Sequence, residues 1–197
     1  MNTWDRNLTE ASDLLVSLRP LGDAIRHTGG IIVETLRTAH KVLACGNGGS
    51  ASQASHLCAE LVGRYRRPRR PLNAVCLCSD GPLLTCLVND FDPRDLFARQ
   101  VRGLGQPGDC LIGLSTSGAS ENVARAIQAA REGSLKTIAL LGRSGDPAVN
   151  RPVLGLADHE IVIPHSTTAR IQETHLLVIH TWCDMIDAAL GELRIEN

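Results

Sequence analysis

Aromatic side chains are scarce in this chain, 3% of its 197 residues. That argues against a surface built to stack on nucleobases and leaves Leu, Val, Ile and Ala to make the core. Excess charge of either sign is missing as well. Twenty Lys and Arg stand against 21 Asp and Glu, a net charge of −1, which argues against a general nucleic-acid binder. No apolar run approaches the ~18 residues of a membrane span. The opening MNTWDRNLTE lacks the basic-then-apolar pattern of a secretory leader. The seven cysteines (45, 58, 76, 78, 86, 110 and 183) are odd in number and hold no C-x-x-C pair. They read as reduced, small buried hydrophobes of a cytoplasmic protein. What is present, 43% hydrophobic and 21% charged residues, describes one globular, soluble domain spanning 1–197.

The stretch 41–64, KVLACGNGGSASQASHLCAELVGR, organises the rest. An apolar run at 42–45 breaks into the turn Gly46-Asn47-Gly48-Gly49-Ser50, and a helical segment with His56 and Glu60 follows. A strand that turns through glycines into a helix offers unpaired N–H groups and the helix dipole to an anion. Ser50 can cap the helix or give its hydroxyl to the same anion. His56 and Glu60 are four apart and share a helix face, where they are candidates for metal or acid–base work. Gly46, Gly48 and Ala51 also fit a dinucleotide fingerprint, but its acidic residue about 20 positions on has no counterpart before Asp80. A Walker A lysine is absent.

Ahead of this stretch, Leu14, Leu18, Leu21, Ile25, Ile32 and Leu36 recur in steps of three, four or seven. Residues 5–40 are therefore expected as helix, broken or kinked at Pro20 and Gly29-Gly30. This N-terminal helical segment, 1–40, is expected in an oligomer interface. After it, five arginines fall between 64 and 70, expected as a solvated loop in which Arg64 is the best placed to reach an anionic ligand. Further strands are expected at 74–78, 110–114, 137–141 and 159–164. Helices are expected at 83–88, 95–104, 121–132 and 169–190, with a short one at 146–150. The third strand runs into Ser115-Thr116-Ser117-Gly118-Ala119-Ser120. A helix cap needs one hydroxyl and this turn has four, which suits a phosphate at the helix start. The alternation predicts an α/β three-layer sandwich, a five-stranded parallel sheet flanked by helices. Ligands then bind at the carboxyl ends of the strands, where 46–50, Asn89-Asp90 and 115–120 are expected.

The segments CGNGGS, ELVGRYR, VNDF, LSTSGAS and ARIQETHLLVIH resemble the sugar isomerase (SIS) domain family, and within it the sedoheptulose 7-phosphate (phosphoheptose) isomerases. The resemblance implies the SIS fold and zinc, one per subunit, on His56, Glu60, Gln172 and His180. Gln172 and His180 are eight apart, about 80° round a helix of ~3.6 residues per turn. The same likeness implies interconversion of D-sedoheptulose 7-phosphate and D-glycero-D-manno-heptose 7-phosphate, a step in heptose biosynthesis, by metal-assisted proton transfer through an enediol. On this reading Glu60 is the base and His180 the acid. Ser115, Thr116, Ser117 and Ser120 hold the phosphate. Asn47, Gly48, Gly49, Asn89 and Asp90 contact the sugar or shape its site, with Glu60 and Gln172 beside them. Whether Glu60 is ligand, base or both stays open. The family further implies a homotetramer with sites near subunit boundaries. His175 is expected as an ordinary buried histidine. Ala51 and Ala169 replace a His and an acidic residue common in the family.

Two other readings compete. One is a non-enzymatic SIS protein that binds the replication initiator, and the other a sugar-phosphate-sensing module. The initiator-binding branch loses the equivalents of Glu60 and His180. This chain keeps both, which without metal or substrate costs free energy, so the enzyme is favoured.

Overall fold

A computed structural model describes residues 2–146 and 148–191. Two N-terminal helices, α1 (Thr3–Ser17) and α2 (Gly22–Arg37), precede alternating strands and helices. These are β1 (Val42–Gly46), α3 (Gly49–Val62), β2 (Ala74–Cys76), α4 (Gly81–Asp90), α5 (Leu96–Leu104) and β3 (Cys110–Ser115), then α6 (Glu121–Glu132), β4 (Lys136–Gly142), β5 (His159–Ile163) and α7 (Thr168–Leu190). All strand pairings are parallel, in the order β2-β1-β3-β4-β5. Chain direction across the sheet reverses between β1 and β3, so the turns that follow these two strands flank the crevice where ligands bind in such sheets.

The strands are legible because they are apolar on both faces. Every residue of β1 and β3 is buried. Alternate side chains divide between two cores. Val42, Ala44, Ile112 and Ile138 pack with α2, α3 and α7, while Leu43, Leu111 and Ala139 pack with α5 and α6. Trp182 of α7 is fully buried and its indole N–H donates to the Ile25 carbonyl of α2 at 3.1 Å.

Three expectations need correction. The first break falls at 18–21, a short 3₁₀ turn over Arg19–Leu21 with Pro20 in it, but α2 runs unbroken through Gly29 and Gly30. Gly29 is there for close packing: a Cβ would lie 2.6 Å from Met185 Sδ and 3.0 Å from Trp182 Cδ1. No helix forms over 146–150 among the described residues; Ser144 and Asp146 side chains bond the local backbone instead. The helix expected at 83–88 extends over Gly81–Asp90, started by the Asp80 carboxylate accepting from Leu83 N–H at 2.9 Å. Asn89 and Asp90 therefore end a helix rather than follow a strand.

His175 behaves as an ordinary buried histidine. It is fully buried on α7, and its Nε2–H donates to the Leu141 carbonyl at 3.2 Å. Burial holds its pKa down at about 4, against 6.5 for a free imidazole. The fold thus holds it neutral, while the unfolded chain takes up a proton below about pH 6.5. Stability from this group is complete above that pH and falls as pH drops toward 4, by about 3 kcal/mol in all. Urea unfolding across this range checks it, and the step is expected to vanish in His175→Gln.

Candidate active site

The carboxyl end of β1 turns through Asn47 and Gly48 into α3. Gly48 takes φ +55° at the helix cap, a left-handed conformation that suits glycine. Ser50 is thus the second residue of α3 and buried, not its cap. Beside this turn lies the one after β3. Ser115 Oγ pairs with Ser120 Oγ at 2.9 Å and accepts from Gly118 N–H at 3.1 Å. Ser117 Oγ accepts from Ala119 N–H at 3.1 Å. Ser115, Ser117 and Ser120 so bond within the turn that leads into α6, whose first N–H groups lack intrahelical acceptors. The β1 turn is joined to the first turn of α6 by reciprocal side-chain amide bonds between Asn47 and Asn122, both 2.9 Å.

Helices α3 and α7 lie side by side, and their facing residues bring distant positions together. His56 Nε2 and His180 Nε2 stand 3.1 Å apart. Glu60 Oε1 is 3.4 Å from the same His56 nitrogen. Tyr65 stacks on the His180 ring, centroids 5.6 Å apart at 25°. Gln172 sits two turns before His180, about 12 Å along a helix axis. There its side chain meets the start of α3, and Gln53 Nε2–H donates to its backbone carbonyl at 2.5 Å. A Cβ on Gly49 would collide with the Gln172 amide. We expect Gly49→Ala to keep the fold, since the flexible amide can move, and to lower kcat/KM about tenfold or more by displacing it. Steady-state kinetics beside a thermal melt separates the two effects.

The donors fit a divalent metal. Tetrahedral zinc with bonds of ~2.0–2.1 Å sets its ligand atoms ~3.3 Å apart, and the His56–His180 and His56–Glu60 separations bracket that edge. Glu60 meets only one of the two rings. Among the described residues no three His, Cys, Asp or Glu side chains converge on one point as they stand, so the carboxylate has to swing toward His180. Two ring nitrogens with oxygen donors are a set zinc accepts.

Asn89 and Asp90 are exposed at the end of α4, bonded to each other at 2.6 Å. Among the described residues their side chains make no hydrogen bond to the two turns or the histidine pair. Most of the arginine-rich loop is exposed as expected, Arg64 included. Arg69 is the exception. Its guanidinium is buried, donates to the Glu60 and Leu61 carbonyls at 2.6 and 2.8 Å, and pairs with Asp187 of α7 at 3.0 Å. Burial alone would raise the Asp187 carboxyl, but the Arg66 and Arg67 N–H groups and the Arg69 guanidinium outweigh it and hold it below the usual range.

Sequence reasoning missed Asn122, Arg151, Tyr65 and Gln53. Arg151 braces the hydroxyl turn, its Nε–H donating to the Ser117 carbonyl at 2.9 Å and its Nη2 to that of Gly142. It lies in a segment without periodicity, so nothing local marks it. Gln53 did carry a signal: with His56 and Glu60 it makes steps of three and four on one helix face.

A model of the SIS domain matches residues 8–142. Phosphoheptose isomerase of Chromohalobacter salexigens is 47% identical over 160 residues, covering 81% of this chain and 80% of that one. A phosphoheptose isomerase structure from Neisseria gonorrhoeae superposes with a TM-score of 0.84 at 38% identity, over 93% of this chain and 96% of the other. One from Francisella tularensis gives a TM-score of 0.87 at 32% identity, over 95% and 100%.

Proposed function

Because this chain belongs to the SIS domain family, we propose that it interconverts D-sedoheptulose 7-phosphate and D-glycero-D-manno-heptose 7-phosphate. Two features carry this reading. A hydroxyl-rich turn at a helix start suits a phosphate, and the His56–Glu60–His180 cluster suits proton transfer at a carbonyl.

The chemistry moves one proton between adjacent carbons and another between their oxygens. Ser115, Thr116, Ser117 and Ser120, with the first N–H groups of α6, hold the phosphate end. Asn47, Gly48 and Gly49 line the path of the sugar, and Gln172 bonds its hydroxyls from the start of α7. Glu60 takes the proton from the carbon beside the carbonyl and returns it to the neighbouring carbon. His180, its ring face covered by Tyr65, moves the proton between the two oxygens. His56, Glu60 and His180 would hold zinc, with Gln172 the fourth ligand the family implies, and the metal would supply Lewis acidity toward those oxygens. One oxygen of Glu60 would face the metal and the other the substrate carbon.

We also place the active form as a homotetramer. The apolar side chains that α1 leaves exposed, Trp4, Leu8, Leu15 and Val16, support burial between subunits. Asn89 and Asp90 then meet a sugar held at a subunit boundary. No helix among the described residues is long and apolar enough to cross a membrane. The seven cysteines are free, which supports a cytoplasmic location.

The test is product formation. Incubation with sedoheptulose 7-phosphate in deuterated water is expected to give the aldose, labelled at C2 by solvent deuterium. An unchanged ketose, with the protein folded and sugar phosphate bound, would overturn the reading.

A further inference from the structure

Every carbonyl in the turn after β3, from Ser115 to Gly118, accepts a hydrogen bond. That of Ser115 accepts from Gly118 N–H at 3.2 Å, that of Thr116 from Gly142 N–H at 3.0 Å, and that of Gly118 from Val153 N–H at 3.1 Å. The Ser117 carbonyl accepts from Arg151 Nε–H at 2.9 Å. Of these four bonds, the last alone comes from a side chain. Arg151 also reaches the end of β4, where its Nη2 donates to the Gly142 carbonyl. One guanidinium thus forks between the hydroxyl turn and the neighbouring strand. Among the described residues no other Lys or Arg side chain hydrogen-bonds residues 115–120.

This arrangement matters to an anion. A carbonyl oxygen aimed at a phosphate repels it, and here all four are turned to donors instead. In a trans peptide the C=O and the next N–H point opposite ways. Holding the Ser117 carbonyl therefore sets Gly118 N–H, which donates to Ser115 Oγ at 3.1 Å. Ser115 Oγ in turn pairs with Ser120 Oγ at 2.9 Å. A single chain of bonds runs from the guanidinium to two of the hydroxyls. Gly118 makes room for it: the residue takes φ +72°, and a Cβ there would lie 2.9 Å from Arg151 Nε. Hydrogen bonds from an ionised donor are the stronger kind, so this fork is a firm one.

We propose that Arg151 is a positioning residue for the phosphate group of the substrate. Its fork holds the Ser117 and Gly142 carbonyls away from the anion and so sets the Ser115 and Ser120 hydroxyls that bind it. Arg151 acts through the turn and not on the reacting carbons. The phosphate end is unchanged between substrate and transition state, so the loss of Arg151 appears in KM and not in kcat. The planar fork is what the turn needs. A Lys ammonium is a point charge and cannot reproduce two fixed bonds to two carbonyls. The inference rests on the isomerase reading, which places a phosphate at this turn.

The experiment compares full-length wild type, Arg151→Met and Arg151→Lys. It measures kinetics with sedoheptulose 7-phosphate, equilibrium binding of inorganic phosphate, and a thermal melt. In Arg151→Met, KM and the phosphate Kd are both expected to rise about tenfold or more, the scale of a small misplacement at the site, with kcat within about twofold. Arg151→Lys is expected to show most of the same loss, and it carries the same readings if Arg151→Met does not fold. A lowered melting temperature with KM and phosphate affinity unchanged would make Arg151 a structural residue only and overturn the proposal. Full recovery in Arg151→Lys would overturn it too, by making charge and not positioning the cause. Phosphate binding without turnover in the wild type overturns the isomerase reading alone, and the phosphate affinities of the variants still decide the role of Arg151. A wild type that neither binds phosphate nor turns over the ketose overturns both.

Discussion

Replacing Glu60 with Gln is expected to lower kcat for sedoheptulose 7-phosphate about 10²–10⁴-fold, the range for loss of a positioned general base. The amide keeps the size of the side chain and its place on α3. It cannot take a proton from carbon, and it is a poorer metal donor than a carboxylate. The two losses are separable. If Glu60 acts as base, zinc still binds Glu60→Gln through His56 and His180, whose nitrogens face each other at 3.1 Å, and KM changes little. If Glu60 acts only as ligand, zinc content falls and added zinc restores turnover. Kinetics beside metal analysis of the same sample distinguishes these outcomes. Retention of more than about a tenth of wild-type kcat would remove Glu60 from the proton path.

Replacing Asp187 with Ala is expected to destabilise the fold by about 3–5 kcal/mol, the cost of leaving a buried charge without its partner. Both side chains of the pair are almost fully buried, 1% exposed for Arg69 and 4% for Asp187. The carboxylate accepts from the backbone N–H groups of Arg66 and Arg67 at 2.9 and 3.0 Å as well as from the guanidinium. Its loss orphans all three donors at once. Asp187→Asn keeps an acceptor without the charge and is expected to recover part of the loss. Denaturant unfolding at fixed protein concentration measures both variants. The pair also matters for the site, because the same guanidinium holds the carbonyl of Glu60. It fastens the end of α3 to α7, the two helices that present His56 and His180. A change within about 0.5 kcal/mol, typical of an exposed position, would show that the pair carries no such burden.

Much of the sheet was readable because a parallel sheet with both faces covered needs continuous apolar runs, and 42–45, 110–114 and 137–141 are such runs. Gly29-Gly30 misled for the opposite reason. Local propensity marks a break, whereas the residue's small size serves a contact with Trp182 and Met185 that only the tertiary structure reveals. The site divided in the same way. The glycine and hydroxyl turns were visible as local chemistry. The pairing of His56 with His180 spans 124 positions and that of Arg69 with Asp187 spans 118. Periodicity can place each residue on a helix face but cannot say which faces meet. A resemblance supplied the first pair, and nothing in the arginine run separated Arg69 from its solvated neighbours.

The most direct test of the account is turnover of sedoheptulose 7-phosphate by metal-stripped protein, with and without added zinc, beside His180→Ala. The account predicts no aldose without metal, activity restored by about one zinc per subunit, as expected for a site of this donor set, and no restoration in the variant. Full turnover by the stripped protein, or zinc-restored turnover in His180→Ala, would contradict it.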